Sequence, residues 1–180
     1  MTAVIVIVLA MLGVKSLASG SSSYAGEETR EIKSLSNVEV EGLLSGKGMG
    51  YAKAAELNGY PGPAHVLELS EELLLSGDQY RETEVIFSQM EASAKKVGAE
   101  LVSAERALDD AFRSKKIDES SLLKLVDDIG NIESRLRAIH LGAHLQQTKI
   151  LNDEQISEYM DLRGYNLTEH GSHHKHHHGK

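Results

Sequence analysis

The chain has 180 residues, of which 41% are hydrophobic but only 4% aromatic, and it carries a formal net charge of -8 with no cysteine. Without cysteine there is no disulfide framework and no thiolate metal site, and so acidic a chain is not expected to bind the phosphate backbone of nucleic acids. The abundance of Ala, Leu, Glu and Lys, with only two prolines, argues against sheets and favours elongated helices.

Residues 1–25 are predicted to be a signal peptide. The unbroken apolar run at residues 3–14 is shorter than the roughly 20 residues that span a bilayer, and small residues follow it, as in secretory signals. Since no Lys or Arg precedes the run, an N-terminal anchor that stays attached is the alternative. Export by such a signal predicts a periplasmic protein.

The rest of the chain divides into a linker at 26–35, a helical domain at 36–165 and a disordered tail at 166–180. The linker is small, polar and charged, and is predicted to be mobile. A His-rich tract such as the tail binds divalent metals in almost any conformation, although an expression tag is the alternative interpretation. The tail histidines are His170, His173, His174, His176, His177 and His178.

Short helices open the domain. Ser36 and Glu39 form a predicted capping box at the start of the first of them. The glycine-rich segment 46–50 follows a helix rather than a strand and lacks the Gly-Lys-Ser/Thr ending of a phosphate loop, so it is interpreted as a flexible turn. Two more helical pieces are predicted at 51–57 and 64–74, separated by a strong turn signal.

Two long amphipathic helices follow, one over residues 78–113 and one within residues 117–159. In both, apolar residues recur at alternating steps of three and four, which places one narrow stripe along each helix. Helices joined by so short a turn fold back antiparallel, so we expect an all-α fold with a long antiparallel helical hairpin and shorter flanking helices. The stripes are Phe87, Met90, Ala94, Val97, Leu101, Ala104 and Leu108, then Leu122, Leu125, Ile129, Ile132, Leu136, Ile139 and Ala143.

A single hairpin with such narrow stripes buries little apolar surface. We therefore expect a homodimer or a higher oligomer. The alternative is a monomer in which the segment 34–74 packs across the hairpin.

His140 and His144 are one helical turn apart and lie beside the second stripe. A hairpin turn near Lys115 places Glu91 opposite His140, and Glu84 within a turn of His144. Two imidazoles and a carboxylate are suitable ligands for Zn²⁺, Ni²⁺, Co²⁺ or Cu²⁺. The alternative is a chance pair of histidines near surface carboxylates.

Catalysis is not predicted. We find no nucleophile, base and orienting group in a recognisable arrangement, and the His-Glu-x-x-His pattern of zinc peptidases is absent. We therefore expect a protein that is not an enzyme.

Two further segments carry helix-cap chemistry. Each has a polar N-cap residue, a glutamine three positions later that can return the hydrogen bond, and a leucine before the cap that can pack onto the new helix. The segments, Leu75-Ser76-Gly77-Asp78-Gln79 and Leu151-Asn152-Asp153-Glu154-Gln155, resemble the paired Leu-Thr-x-x-Gln motifs of the Spy/CpxP superfamily, with Ser76 and Asn152 in place of the threonines. The resemblance implies a periplasmic, all-helical, dimeric protein.

That superfamily includes chaperones of the envelope stress response, a zinc-resistance-associated protein and membrane-anchored nickel/cobalt sensors. The order of His140-x-x-x-His144, the second motif, Tyr159 and Arg163-Gly164-Tyr165 resembles its heavy-metal resistance branch. The stretch 48–69, with Ala54-Ala55-Glu56-Leu57-Asn58-Gly59-Tyr60-Pro61-Gly62-Pro63, resembles a subgroup of that branch.

The resemblance also implies a ligand set. The nickel/cobalt sensor uses an N-terminal His pair, a Glu on the next helix and a His-x-x-x-Met pair. His140 matches the later His, His144 stands in the place of the Met, and Glu84 matches the Glu. His65 is the one His on the preceding helix. The expected metal ligands are thus His65, Glu84, His140 and His144, with Glu91 from the hairpin register, and Zn²⁺ is preferred over the other three metals.

These observations predict a non-enzymatic heavy-metal-binding resistance or sensor protein of the periplasmic envelope stress response. Its expected partners are other copies of itself, a membrane signalling partner or unfolded periplasmic proteins. The alternative is an ATP-independent chaperone that holds unfolded clients on a helical cradle through Met49, Phe87, Met90 or Leu101. A helical spacer without a ligand is a third interpretation.

Overall fold

The structure is a computed structural model that describes residues 22–165. Over this range the chain is helical, without strands, and its two longest helices pack against each other as a hairpin, so the all-α prediction is confirmed. The predicted helix at 64–74 is too long, because the helix ends at Glu68 and turns follow. The helices are α1 (Asn37–Leu44), α2 (Lys53–Glu56), α3 (Pro63–Glu68), α4 (Gly77–Arg113), α5 (Glu119–Gln147) and α6 (Asp153–Leu162), preceded by a 3₁₀ turn at Glu27–Thr29.

The hairpin of α4 and α5 is the frame of the molecule. With 37 residues, α4 extends over about 55 Å at a rise of about 1.5 Å per residue. The predicted stripes form its seam, where Ala94, Leu101 and Leu136 are buried. Burial of these apolar side chains is the main term that holds two such helices together.

Helix α1 crosses α4 at Gly98. A Cβ atom built on Gly98 would lie 2.2 Å from the carbonyl oxygen of Leu43, so a side chain at this position would overlap the backbone of α1. Leu43 itself is buried in the same core. Gly98 is therefore a packing contact rather than a weak point of α4.

Residues 31–34, within the predicted linker, lie against α4. The side chain of Ile32 is only 2% exposed and belongs to the main core. The backbone amide of Lys33 donates to Asp109, and the hydroxyl of Ser34 donates to Glu105. The segment 30–44 thus packs across the hairpin, as the monomer alternative expects of this part of the chain.

A second apolar cluster lies at the open end of the hairpin. Val66 of α3 and Tyr159 of α6 are fully buried there, together with Leu73 and Leu151. This cluster fixes α3 against α6 and so positions the polar groups described below.

No helix within residues 22–165 is long and apolar enough to cross a membrane. The predicted signal peptide and the His-rich tail fall largely outside the described residues.

Candidate functional site

A cavity of about 280 Å³ lies between the loop at 45–48, helix α3 and the hairpin. Four of the five predicted metal ligands line it: His65, Glu91, His140 and His144. Phe87, Met90 and Ala143 form much of its apolar wall. Glu84 does not line this cavity and is exposed on α4, so the structure does not place it with the histidines.

His140 is buried, with its Nε2 atom lacking a hydrogen-bond partner among the described residues. Its ring is parallel to that of Tyr51, with the ring centres 6.0 Å apart. Burial lowers the pKa of His140, and the electrostatic effect of the neighbouring His144 lowers it further. Neutral His140 is thus favoured, and a neutral imidazole is the form that binds metals.

His144 is oriented by the backbone. Its Nδ1 atom lies 2.7 Å from the carbonyl oxygen of Tyr60. Because a carbonyl only accepts, Nδ1 must carry the proton, and Nε2 of the neutral ring bears the lone pair. Metal-binding histidines are commonly oriented by such a bond from the other ring nitrogen to a carbonyl. The turn at 58–63 that supplies this carbonyl was predicted from sequence, whereas its contact with α5 was not.

Glu56 was not among the predicted site residues. It ends the short helix α2, yet it is only 8% exposed. Its Oε1 atom accepts hydrogen bonds from the hydroxyls of Tyr159, at 2.5 Å, and Tyr165, at 3.1 Å. Arg163 Nε and His65 Nδ1 lie 3.5 and 3.3 Å from the same oxygen. The structure therefore contains a buried carboxylate whose partners come from α3 and from the end of α6.

The partners of Glu56 determine its charge. Burial alone raises the pKa of a carboxyl group, but the hydrogen bonds of His65, Tyr159 and Tyr165 and the electrostatic attraction of His65 outweigh it. The pKa of Glu56 is lowered from 4.5 to about 2. In turn, burial and the bond to Glu56 raise the pKa of Tyr159, so this phenol keeps its proton. Glu56 is thus an anion at neutral pH.

His65 is held by the same cluster. Its Nε2 atom lies 3.4 Å from a guanidinium nitrogen of Arg163, which can only donate. Nε2 therefore accepts, and Nδ1 carries the proton that faces Glu56 and Tyr159. With both ring nitrogens engaged, His65 is less available as a ligand than His140 or His144.

The carboxylate, the imidazole of His144 and Gly62 meet at one point. A Cβ atom built on Gly62 would lie 2.8 Å from Cε1 and 3.0 Å from Nε2 of His144, and 3.3 Å from Oε2 of Glu56. Gly62 has a φ of -88°, a value that any residue adopts, so the requirement here is for space. Oε2 of Glu56 also has no hydrogen-bond partner among the described residues.

The side chains that could hold a metal are thus two buried imidazoles, one buried carboxylate and Glu91. Glu91 is paired with Lys95, at 2.9 Å. As they stand, no three His, Asp or Glu side chains within residues 22–165 are close enough together to hold a metal ion. The donor types suit a divalent transition metal, and binding would require small movements of these side chains.

Sequence patterns predicted only some of the residues of this site. Glu56, Tyr60, Gly62, Tyr159 and Tyr165 all fall within the stretches that resemble the heavy-metal resistance branch, but no spacing rule assigned them a role. Comparison with protein-family models, with curated proteins and with solved structures finds no match to this chain. The resemblance to the Spy/CpxP superfamily therefore depends on the short motifs alone.

Proposed function

We propose that this chain is a non-enzymatic periplasmic protein that binds a divalent transition metal, Zn²⁺ in preference to Ni²⁺, Co²⁺ or Cu²⁺. The metal would occupy the cavity beside α5, with His140 and His144 as its nitrogen ligands. The protein would serve metal resistance or metal sensing in the envelope stress response, as the resemblance to the heavy-metal resistance branch implies.

One observation carries the proposal. Two buried imidazoles one helical turn apart border the same cavity, His144 with its Nδ1 proton held by a backbone carbonyl and His140 with an unpartnered Nε2 atom. A buried polar atom without a partner costs free energy, and binding a cation offsets that cost. Structural histidines are instead usually satisfied by hydrogen bonds on both sides, as His65 is here.

The test is calorimetric titration with Zn²⁺, Ni²⁺, Co²⁺ and Cu²⁺. The protein is the full chain with its six tail histidines replaced by Asn, below called the tail-substituted protein. We expect binding at one site per chain, lost in the His140→Ala/His144→Ala double variant. Glu84→Gln, which changes an exposed carboxylate outside the cavity, is the matched control and should bind as the parent does. Unaltered binding by the double variant would remove these histidines from the site.

A second candidate function, a chaperone for unfolded proteins, is favoured by a groove on the hairpin. The groove has a volume of about 770 Å³ and is lined by alanines of α4 and by Leu125 and Ile132 of α5. It extends along both long helices, over residues 99–107 of α4 and 125–135 of α5. The pair Glu100–Arg135 borders it. Such an apolar groove with charged edges suits loose binding of unfolded chains.

The surface for such clients differs from the one the sequence predicted. Leu101 is only 3% exposed and belongs to the core, and Phe87 and Met90 line the cavity, whereas Met49 is exposed. A light-scattering assay with an aggregating client tests this function. We expect suppression of aggregation that is weakened by Ala104→Glu in the groove; no suppression at equimolar protein would exclude it.

A further inference from the structure

The sequence predicts Glu84 and Glu91 as the carboxylate ligands of the metal site. We propose that Glu56 is a metal ligand, binding through Oε2 together with Nε2 of His144, in the space that Gly62 leaves by having no side chain. This inference depends on the proposed function, because it names a further ligand of the same site.

The first step concerns the two oxygens of Glu56. Oε1 faces the hydroxyls of Tyr159 and Tyr165, the guanidinium of Arg163 and Nδ1 of His65. Oε2 has no hydrogen-bond partner among residues 22–165 although it is buried. Hydrogen bonds to one oxygen fix the orientation of the carboxylate, and the free oxygen keeps its lone pairs for another group. Ligating carboxylates in metalloproteins are usually held in this way.

The second step concerns what faces that oxygen. The nearest ionisable group on its free side is His144, whose Nδ1 atom lies 3.7 Å from Oε2. That nitrogen already donates to the carbonyl of Tyr60, so it does not satisfy Oε2. The other ring nitrogen, Nε2, is the acceptor. Nε2 and Oε2 both border the space beside Gly62, and since neither carries a proton they cannot bond to each other, so a cation is the simplest group that satisfies both.

The third step concerns space. A Cβ atom built on Gly62 would lie 2.8 Å from Cε1 and 3.0 Å from Nε2 of His144, and 3.3 Å from Oε2 of Glu56, so this space borders both donor atoms. Bonds from zinc to such atoms are about 2.0–2.2 Å, so each donor would move inward by about 1 Å. Any other residue at position 62 would fill this space with its Cβ atom. The Gly62 backbone itself does not require a glycine, since its φ is negative.

The other candidate carboxylates are less suited to the role. Glu91 forms an ion pair with Lys95, and its side chain is 37% exposed. Glu84 is exposed. Glu56 is the buried carboxylate of the group, and its Oε2 atom has no hydrogen-bond partner among the described residues. His140, whose Nε2 atom is also without a partner there and which lines one cavity with Gly62 and His144, is the third protein ligand that we assign.

The experiment measures Zn²⁺ affinity by calorimetry, and the visible absorption of bound Co²⁺, which reports the ligand atoms, on the tail-substituted protein. Glu56→Gln keeps the size of the side chain and an oxygen for the tyrosine hydroxyls. We expect its affinity to fall by more than the roughly 10–100-fold that loss of an outer-shell partner costs, and its Co²⁺ spectrum to change. Glu84→Gln, at an exposed carboxylate that does not line the cavity, is the matched control and should retain affinity and spectrum.

Gly62→Ala provides a second variant in case Glu56→Gln fails to fold. It leaves the carboxylate and its hydroxyl partners in place but puts a methyl group into the proposed metal position. We expect metal binding to be lost. Gly142→Ala, at a helical glycine whose added Cβ would have no atom within 4 Å, is its control and should bind normally.

The outcomes separate the two proposals. Parental affinity in Glu56→Gln or in Gly62→Ala, with binding still abolished by His140→Ala/His144→Ala, would overturn the Glu56 assignment and leave the proposed function standing. A weakened Glu56→Gln with an unaltered Co²⁺ spectrum would also overturn it, since the residue would then act from outside the ligand set. Absence of metal binding in the tail-substituted parent would refute both.

Discussion

Gln79 and Gln155 bind each other through their side-chain amides. Nε2 of Gln79 donates to Oε1 of Gln155 at 2.8 Å, and Nε2 of Gln155 donates to Oε1 of Gln79 at 3.1 Å. Each oxygen also accepts the backbone amide of its own N-cap residue, Ser76 or Asn152. The second proton of each amide goes to a distant carbonyl, that of Ile150 or Leu73. The two cap motifs therefore form one structural unit that joins the start of α4 to the start of α6.

The first prediction tests this unit. Gln79→Ala and Gln155→Ala should each lower the free energy of unfolding by about 1–3 kcal/mol, because each leaves partly buried partners unsatisfied. The double variant should lose less than the sum of the two, with a coupling of at least about 0.5 kcal/mol. Urea denaturation followed by circular dichroism measures all three. Gln146→Ala, at an exposed glutamine of α5, should have no effect, and strictly additive losses at 79 and 155 would contradict a shared unit.

The second prediction concerns the crossing of α1 over α4. Gly98→Ala should destabilise the fold by about 1–3 kcal/mol, because the new methyl group would overlap the Leu43 carbonyl and push α1 off the hairpin. Gly130→Ala, where an added Cβ would have no atom within 4 Å, should instead stabilise α5 by about 0.5–1 kcal/mol. Thermal or urea unfolding of the two variants should thus give opposite signs.

The third prediction concerns Leu74, whose backbone has a φ of +49° and whose side chain is 84% exposed. The left-handed region costs a residue with a Cβ atom about 1–2 kcal/mol, and an exposed leucine gains little from packing. Leu74→Gly should therefore raise the free energy of unfolding, by about 0.5–1 kcal/mol once the greater freedom of glycine in the unfolded chain is subtracted. Leu74→Ala keeps the Cβ atom and should show no such gain. Equal stabilisation by both would attribute the effect to loss of the apolar side chain.

The fourth prediction concerns stability in acid without metal, measured in the presence of a chelator. The pKa of Glu56 is about 2 in the folded protein, whereas a glutamate without these partners has a pKa of 4.5. A carboxyl group with a lowered pKa stabilises the fold above its unfolded value, and this contribution is lost as the pH falls from about 4.5 to about 2. Urea midpoints across this range should fall less steeply in Glu56→Gln than in the parent.

Matched variants sharpen that measurement. Glu68→Gln, an exposed carboxylate on α3, should keep the parental slope. Tyr159→Phe removes the shorter hydroxyl bond to Oε1, which raises the pKa of folded Glu56 toward 4.5, so the acid loss should be smaller and complete at a higher pH than in the parent. A parental slope in both Glu56→Gln and Tyr159→Phe would show that this carboxylate does not contribute to acid stability.

Much of the fold could be predicted because its causes are local. The apolar steps of three and four in α4 and α5 place one stripe on each helix whatever the rest of the chain does. Helix caps depend on a side chain and an amide three residues apart, as at Ser76 and Gln79. The hairpin follows from two stripes and a short turn. Because these interactions join residues that are close together in the chain, they can be predicted from the sequence pattern itself.

The candidate site shows the limit of such reasoning. The hairpin register, which depends on the seam alone, placed Glu91 opposite His140, and both residues line one cavity. It also placed Glu84 near His144, but Glu84 is on the exposed side of α4. A register predicts which turns of two antiparallel helices lie side by side. It does not fix the face of a side chain, because moving by one residue along a helix rotates the side chain by about 100° around the helix axis.

The amino-acid order alone determined the helices, their caps and the pairing of the two long rods, since each follows from contacts within a turn or two of helix. Only the tertiary structure decided that Glu56 meets Tyr159, 103 residues later in the chain, and that His144 faces the Tyr60 carbonyl beside Gly62. Those meetings depend on how α3 and α6 pack at the open end of the hairpin. Packing sums many weak contacts between distant segments, and no local spacing encodes that sum.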